Sequence, residues 1–193
     1  MERTIPRAEE EPLSSAIALR TQLPPVVLVL GGARSGKSRY AERLVEQAAA
    51  GGTYVATAEP GDDEMIARIA AHRGRRGTFW RTVEAPLALA AAIAEEAAAD
   101  RPLLIDCLTL WLSNLLHAGK CVEAESAALA AVLREAAGPI VLVANEVGLG
   151  LVPETPLGRR FRDEAGRLNQ EIAALADRVV FVAAGLPLML KGG

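Results

Sequence analysis

The sequence predicts an α/β protein in which a mainly parallel sheet is flanked by helices in three layers. Short apolar segments rich in valine and leucine recur along the chain, as they do in strands that are buried on both faces. A longer segment with helical character separates each from the next, and this alternation is typical of a parallel sheet. The first apolar segment also runs into a glycine-rich turn, which indicates a ligand site at the end of a strand.

Strands are predicted where apolar runs are bounded by turn residues. Val26–Leu30 is continuously apolar and precedes the glycine-rich turn, so it is expected to be a central strand. The other predicted strands are Thr53–Ala58, Thr78–Glu84, Leu103–Leu108, Pro139–Val147 and Val179–Ala184.

Helices are predicted between these strands from their start and stop residues. Gly51 and Gly52 end the first helix, Asp62 and Asp63 open the second where the helix dipole favours acidic groups, and Pro86 lies in the first turn of the third. The predicted helices are Lys37–Ala50, Glu64 to about Arg73, Pro86–Ala99, Thr109–His117, Val122–Ala137 and Gly158–Ala176.

The composition fits one globular domain and excludes several classes of protein. Of the 193 residues, 51% are hydrophobic and 23% are charged, which allows a substantial core. The longest apolar stretches, Val26–Leu30 and the interrupted run Val179–Leu190, are shorter than the ~20 residues of a membrane-spanning helix. No stable membrane insertion is therefore expected. The net charge of −3 argues against a nucleic-acid partner.

The cysteines and the N-terminal residues set the expected compartment. Cys107 and Cys121 lie outside any Cys-x-x-Cys or Cys/His cluster, which disfavours a disulfide framework or a zinc site. The first residues mix charges without an apolar segment, so no secretory signal is predicted and a cytoplasmic location is expected. Residues 1–24 are interpreted as a flexible N-terminal extension, with one domain over residues 25–193.

The strongest motif lies between the first predicted strand and the first predicted helix. It matches G-x-x-x-x-G-K-[S/T] and consists of Gly31, Gly32, Ala33, Arg34, Ser35, Gly36, Lys37 and Ser38. Its glycines let backbone N–H groups point at phosphates, and the helix N-terminus adds positive potential. Lys37 is expected to reach the β- and γ-phosphates, and the Ser38 hydroxyl to coordinate Mg²⁺. The motif thus predicts the P-loop NTPase fold.

A second Mg²⁺ ligand is expected at the end of another apolar strand. Asp106 follows Leu103, Leu104 and Ile105 and fits that position. The alternative is that Asp106 caps the helix beginning near Thr109, and the two roles are compatible. These motifs indicate either a P-loop nucleotide enzyme or a P-loop switch.

A basic segment follows the second predicted helix start. Glu64, Arg68 and His72 are spaced four residues apart and therefore share one helix face. The residues after His72 form a compact anion-attracting end: Arg73, Gly74, Arg75 and Arg76. By spacing alone, a solvated helix face with a basic loop is favoured over a nucleotide contact.

Motifs in order along the chain resemble the bifunctional adenosylcobinamide kinase / adenosylcobinamide-phosphate guanylyltransferase family of cobalamin biosynthesis. The similarity runs from about residue 27 to 190. The stretches that carry it are Gly31–Arg39, Tyr54–Ala58, Asp62–Met65 with Arg68, Ile69 and His72, Trp80–Glu84, Asp106–Thr109 with Asn114–Leu116, Asn145–Gly150 with Val152–Glu154, and Phe161–Asp163 with Gly166, Arg167, Asn169 and Gln170. The Asn-Glu-Val-Gly and Phe-Arg-Asp blocks are more specific than the phosphate loop. Two features depart from the family pattern, namely the N-terminal extension and Gly77.

The resemblance implies two reactions in one chain. ATP or GTP phosphorylates the aminopropanol hydroxyl of adenosylcobinamide, and GMP is then transferred from GTP to adenosylcobinamide phosphate, which gives adenosylcobinamide-GDP and pyrophosphate. The resemblance also implies that His72 carries GMP covalently. A neutral imidazole nitrogen can attack the α-phosphorus, and neighbouring arginines would offset the charge of the transferring group. The cofactor implied is Mg²⁺, and the assembly implied is a homo-oligomer, a trimer.

The resemblance places nucleotide contacts on the phosphate loop and on segments beyond it. The additional positions are Thr57, Ala58, Glu59, Arg73, Gly74, Arg75, Arg76, Glu84 and Asp106. Catalytic roles fall on His72 and Lys37, whereas the other histidine, His117, is interpreted as a helix-end residue.

Several polar residues keep two interpretations. Asn145 and Glu146 end a predicted strand where parallel sheets bind ligands, so they either serve the substrate or metal shell or satisfy the loop backbone. The last helix carries four arginines, most of which are interpreted as surface or subunit-contact charges: Arg159, Arg160, Arg162 and Arg167. Two alternatives to the bifunctional enzyme remain: a kinase for another small alcohol with a structural His72, and a nucleotide-operated binding module.

Overall fold

A single seven-stranded sheet organises the protein. The structure, a computed structural model, describes residues 22–61, 70, 74 and 77–192. The strands are β1 (Val26–Gly31), β2 (Gly52–Ala56), β3 (Trp80–Glu84), β4 (Leu103–Asp106), β5 (Ile140–Asn145), β6 (Arg178–Ala183) and β7 (Leu186–Lys191). Their order in the sheet is β3-β2-β4-β5-β1-β6-β7. All neighbouring strands pair in parallel except β7, which runs antiparallel to β6.

Helices cover both faces of the sheet. In the described part of the chain they are α1 (Lys37–Ala48), α2 (Leu89–Glu96), α3 (Leu108–His117), α4 (Val122–Glu135) and α5 (Pro156–Leu175). Alternate residues of each central strand point to opposite faces and therefore supply two cores. Val27 and Val29 pack with Ala41 and Val45 of α1 in one core, and we call this side of the sheet the α1 face.

The opposite core is larger and contains residues of the other four described helices. Leu28 of β1 belongs to it together with Trp111 of α3 and Leu168 of α5, and Leu28 and Trp111 are fully buried. Burying one such side chain contributes on the order of 2 kcal/mol. The three-layer α/β class predicted from the sequence is confirmed.

Some strands and helices begin or end at other residues than predicted. There the local turn of the backbone ends a strand or delays a helix that the side-chain pattern alone would extend. The strand predicted as Leu103–Leu108 ends at Asp106, because Cys107 is the N-cap of α3 and Leu108 is already helical. The helix predicted from Pro86 begins only at Leu89. The helix predicted from Glu64 to about Arg73 falls outside the described residues except for Ala70.

Strand β7 is absent from the sequence prediction. Ala184 and Gly185 connect β6 to β7, and both have positive φ angles, 51° and 80°. Two consecutive residues of this kind are typical of a tight hairpin turn. The apolar run Val179–Leu190 therefore folds back on itself instead of ending as one strand. Among the helices described, none is long and apolar enough to cross a membrane.

Candidate nucleotide-binding site

The phosphate loop connects the end of β1 to the start of α1. Gly36 is the N-cap of α1 and has a φ of 95°, a conformation that favours glycine. The Ser35 N–H donates to the Gly32 carbonyl at 3.3 Å, and the Lys37 Nζ donates to the same carbonyl at 3.1 Å. These bonds fold the loop tightly and hold the buried Lys37 ammonium across it.

Two backbone hydrogen bonds from neighbouring segments hold the loop. The Glu146 N–H donates to the Gly31 carbonyl at 3.1 Å, and the Gly185 N–H donates to the Ser35 carbonyl at 2.8 Å. A Cβ on Gly31 would lie 2.5 Å from the Val182 carbonyl oxygen, so the close packing there requires glycine. The hairpin turn at Gly185 thus holds the phosphate loop in place. The sequence prediction does not include this contact, although the Ala184-Gly185 pair marks a turn.

Asp106 ends β4, and a hydrogen bond holds its carboxylate. The Tyr54 hydroxyl donates to Asp106 Oδ2 at 2.7 Å. Tyr54 and Leu104 pack in the α1-face core, and Asp106 follows Leu104 by two residues on the same strand, which places it on that face. Because Cys107 is the N-cap of α3, the alternative in which Asp106 caps this helix is not supported.

The segment after β2 is fixed to the segment after β4. The buried Thr57 hydroxyl accepts a hydrogen bond from the Cys107 N–H and donates one to the Cys107 carbonyl, both at 2.8 Å. The Asn114 side-chain amide donates to the Thr57 carbonyl at 2.8 Å and to the Pro86 carbonyl at 3.0 Å. The hydroxyl of Thr57 is thus engaged in holding the edge of the sheet together.

The Cys107 thiol remains protonated at neutral pH. Burial raises its pKa to about 11, and the negative charge of Asp106 contributes in the same direction. Because the thiolate is the reactive form, Cys107 is a poor nucleophile despite its position next to Asp106.

Parallel strands bring several predicted positions to one edge of the sheet. The phosphate loop, Thr57–Glu59, Glu84 and Asp106 all lie at or directly after the carboxyl ends of β1, β2, β3 and β4, where open α/β sheets bind ligands. Glu59 and Glu84 are exposed, and Ala58 is half-buried. Gly74 is exposed, and the other predicted positions of the basic segment lie outside the described residues: His72, Arg73, Arg75 and Arg76.

Asn145 and Glu146 differ although they are adjacent. Glu146 Oε1 accepts a hydrogen bond from the Gly148 N–H at 2.7 Å, so this carboxylate satisfies the loop backbone. The Asn145 Oδ1 atom is enclosed by the protein and has no hydrogen-bond partner. The loop-backbone interpretation is therefore supported for Glu146, whereas the Asn145 side chain makes no such bond.

His117 and the arginines of α5 fit their interpretation as helix-end and surface residues. His117 is exposed at the end of α3, and its Nδ1 lies 2.8 Å from the Ser113 carbonyl. On α5, Arg162 pairs with Asp163 at 3.2 Å, and Arg167 pairs with Glu164 at 2.9 Å.

Hard oxygen ligands suited to Mg²⁺ are present at the loop. The Ser38 hydroxyl lies in the first turn of α1, and the Asp106 carboxylate lies at the end of β4. Within the described residues there is no group of three or more His, Cys, Asp or Glu side chains that could hold a metal ion by themselves. Mg²⁺ is typically held by one or two protein oxygens together with nucleotide phosphates and water, and Ser38 and Asp106 supply oxygens of that kind.

Comparison with known proteins shows relatives over most of the chain. Residues 27–190 match the model of the family described as cobinamide kinase / cobinamide phosphate guanyltransferase. A bifunctional adenosylcobalamin biosynthesis protein CobP of Pseudomonas aeruginosa is 56% identical over 167 residues, covering 86% of this chain and 96% of the relative. The CobU protein of the same description from Salmonella typhimurium is 41% identical over 181 residues, covering 86% and 99%.

Solved structures with low sequence identity share the fold. The flagellar accessory protein FlaH of Methanocaldococcus jannaschii aligns with a TM-score of 0.50 and 13% identity, covering 88% of this chain and 80% of that chain. The type III secretion ATPase EscN of enteropathogenic E. coli aligns with a TM-score of 0.51 and 14% identity, covering 82% and 43%. These likenesses support the P-loop NTPase fold alone.

Proposed function

The chain belongs to the cobinamide kinase / cobinamide phosphate guanyltransferase family, and from that membership we propose that it phosphorylates adenosylcobinamide and then converts the product to adenosylcobinamide-GDP. The observation that carries the proposal is the family match over residues 27–190. The phosphate loop, with the Lys37 ammonium 3.1 Å from the Gly32 carbonyl, supplies the nucleotide site that the reactions need. Relatives at 56% and 41% identity are both described as bifunctional, which supports two activities in one chain.

The first step is an in-line transfer of the γ-phosphoryl group of ATP or GTP to the substrate hydroxyl. The bond from the γ-phosphorus to the β–γ bridging oxygen breaks, a bond to the hydroxyl oxygen forms, and the hydroxyl proton passes to solvent. Lys37 and the loop N–H groups neutralise the β- and γ-phosphates. Ser38 and Asp106 would hold Mg²⁺, which when bound neutralises charge on the leaving diphosphate.

The second step needs a nucleophile at the α-phosphorus of GTP, and His72 is our candidate. Its imidazole nitrogen would displace pyrophosphate and form a phosphoramidate with GMP; the phosphate oxygen of adenosylcobinamide phosphate then attacks the same phosphorus and releases His72. Two observations favour His72 over other side chains. His117 ends α3, about 15 Å along the helix from the carboxyl end of β4 where α3 begins, and burial keeps the Cys107 thiol protonated.

The assembly we propose is a homo-oligomer, a trimer as the family resemblance implies. Strand β7 exposes four large apolar side chains, which we call the hairpin surface: Leu186 (72% exposed), Leu188 (59%), Met189 (41%) and Leu190 (56%). Large apolar patches on a soluble protein mark interaction sites, and a second copy of the chain is the occupant that the resemblance implies.

Mass analysis of the corrinoid tests the function directly. The protein is incubated with adenosylcobinamide, GTP and Mg²⁺, and we expect adenosylcobinamide phosphate to form first and adenosylcobinamide-GDP to follow. A kinase for another alcohol would leave the corrinoid unchanged and would consume GTP only once its own acceptor was added. A nucleotide-operated binding module would show only slow GTP hydrolysis. Either result would overturn the proposal.

A further inference from the structure

Asn145 lies between the two components of the nucleotide site. It is the last residue of β5, and the order β4-β5-β1 puts this strand between the one that ends at Asp106 and the one that ends at Gly31. In the parallel pairing of β1 and β5, Asn145 is opposite Gly31, the first residue of the phosphate loop. The residue is therefore next to the loop and one strand from the proposed metal ligand.

The pleat of β5 places the Asn145 side chain on the α1 face. Val141 and Val143 pack in the α1-face core, and Asn145 continues that alternation. The same alternation places Asp106 on this face, and α1, which begins with Lys37, packs against it. The amide thus lies on the side of the sheet where the lysine, the loop and the carboxylate meet.

Hydrogen bonds from the opposite side of the sheet hold the Asn145 backbone. Its N–H donates to the Thr109 hydroxyl of α3 at 2.6 Å, and its carbonyl accepts from the Asn169 amide of α5 at 3.2 Å. The backbone is therefore fixed independently of the side chain. The side chain ends in an enclosed Oδ1 with no partner, whereas buried polar atoms are nearly always hydrogen-bonded. Nδ2 makes no hydrogen bond to the described residues and is not enclosed in this way, so it is the amide atom that a ligand can reach.

We propose that the Asn145 amide is a catalytic contact of the phosphoryl-transfer step, bound to the γ-phosphate. Its Nδ2 donates to a γ-phosphate oxygen and so holds the γ-phosphorus in line with the attacking hydroxyl, while the enclosed Oδ1 contacts neither. The amide takes up no proton. This inference rests on the proposed function for the identity of the hydroxyl, while the γ-phosphate contact stands on the fold.

Charge explains why an amide rather than a carboxylate serves this position. Asp106 and the γ-phosphate are both negative, so a second carboxylate between them would repel the triphosphate. Asn145→Asp keeps the size of the side chain and its acceptor oxygen but adds a negative charge and removes the donor. Asn145→Ala removes both polar atoms without adding charge. The pair therefore separates loss of the donor from electrostatic repulsion.

The experiment compares nucleotides with and without the third phosphate on the full-length chain. Affinities for GDP and for the non-hydrolysable analogue GMPPNP are measured with Mg²⁺ in the wild type, Asn145→Ala, Asn145→Asp and a control, Gln47→Ala, which removes an exposed amide on α1. Thermal unfolding is followed in parallel. We expect unchanged GDP affinity, about tenfold weaker GMPPNP binding in Asn145→Ala, a larger loss in Asn145→Asp, and wild-type values in the control.

Turnover supplies the second measurement. We expect the kcat of adenosylcobinamide phosphorylation to fall on the order of 100-fold in Asn145→Ala, as when a transition-state hydrogen-bond donor is removed. Equal losses of GDP and GMPPNP affinity, or an unchanged kcat, would overturn the inference. If the wild type phosphorylates no adenosylcobinamide, the proposed function fails, and selective loss of GMPPNP binding would still establish the γ-phosphate contact.

Discussion

Two regions of the molecule differ in the chemistry of the groups that lack partners. One is the phosphate-loop edge, by which we mean Gly31–Ser38 and the carboxyl ends of the neighbouring strands, and the other is the hairpin surface. At the loop, hydrogen bonds from distant segments hold the backbone, and the enclosed atoms without partners include Ser35 Oγ and Asn145 Oδ1. On β7, the large exposed side chains are apolar, and Leu186 is 72% exposed. The first region is organised for a small polar ligand, whereas the second is suited to another protein surface. One sheet thus carries two incomplete regions of opposite chemistry.

Lys37→Ala is expected to cause the largest loss of activity at the phosphate-loop edge. The variant loses the charge that neutralises the β- and γ-phosphates, so we expect both phosphorylation and guanylylation to fall by roughly a thousandfold or more. The melting temperature should fall only slightly, because the variant also loses the hydrogen bond from Lys37 to the Gly32 carbonyl, worth about 1 kcal/mol. Both rates are measured with labelled GTP. Lys120→Ala, which removes an exposed lysine, is the matched control. Normal activity in Lys37→Ala would remove the phosphate-loop assignment.

Asp106→Asn tests the metal contribution at the same edge. The amide is a weaker Mg²⁺ ligand than the carboxylate, so we expect about a 100-fold loss of activity that rising Mg²⁺ partly restores. Activity is titrated against Mg²⁺ and compared with Asp100→Asn, which changes an exposed aspartate. A folded Asp106→Asn variant with the wild-type Mg²⁺ dependence would contradict the assignment.

The phosphate loop could be predicted from a contiguous motif. The contacts that hold the residues around it join distant parts of the chain and could not. Gly31–Ser38 is contiguous, so its strand–turn–helix context is visible in the sequence. The hydrogen bond from Tyr54 to Asp106 joins residues 52 positions apart, and no periodicity reports it. Likewise, the sequence does not show that Asn145 lies opposite Gly31 or that Glu146 accepts the Gly148 N–H, because these contacts depend on strand pairing and loop conformation.

The hairpin was harder to predict because β7 lacks the usual strand signal. A half-buried strand alternates apolar and polar residues, whereas β7 is exposed at every position from Leu186 to Lys191 and is almost entirely apolar. The Ala184-Gly185 turn is the local feature that distinguishes two strands from one. The sequence does not show that the Gly185 N–H donates to the Ser35 carbonyl of the phosphate loop, and this bond is what links the turn to the site.

Leu188→Glu tests the hairpin surface without entering the nucleotide site. A charge on a covered apolar contact disfavours association, so we expect the mass measured by light scattering to fall toward that of one chain. Stability of the separate chain should change by only about 0.5 kcal/mol, since the side chain is 59% exposed there. Ala94→Glu, an exposed position on α2, should keep the wild-type mass. An unchanged mass in Leu188→Glu would contradict the proposed interface.

Cysteine reactivity gives the smallest expected effect. With a pKa of about 11, Cys107 should resist iodoacetamide at pH 8, while the exposed Cys121 reacts. The raised pKa means that folding favours the neutral thiol. This contribution to stability is therefore complete below the unfolded pKa of ~8.5 and is lost as the pH rises through about 11. Denaturant unfolding across this range measures the loss. Rapid labelling of folded Cys107 at pH 8 would contradict the assignment.

We propose that the chain separates its two chemistries between the phosphate loop and His72. Protein incubated with α-labelled GTP is assayed for bound GMP, and the same preparation is assayed for adenosylcobinamide phosphorylation. In His72→Asn we expect no GMP adduct and no adenosylcobinamide-GDP, with phosphorylation retained within about tenfold, or ~1.4 kcal/mol in barrier. His117→Asn, the histidine control, should behave as wild type. An acid-labile, base-stable GMP adduct that persists in His72→Asn would contradict the account.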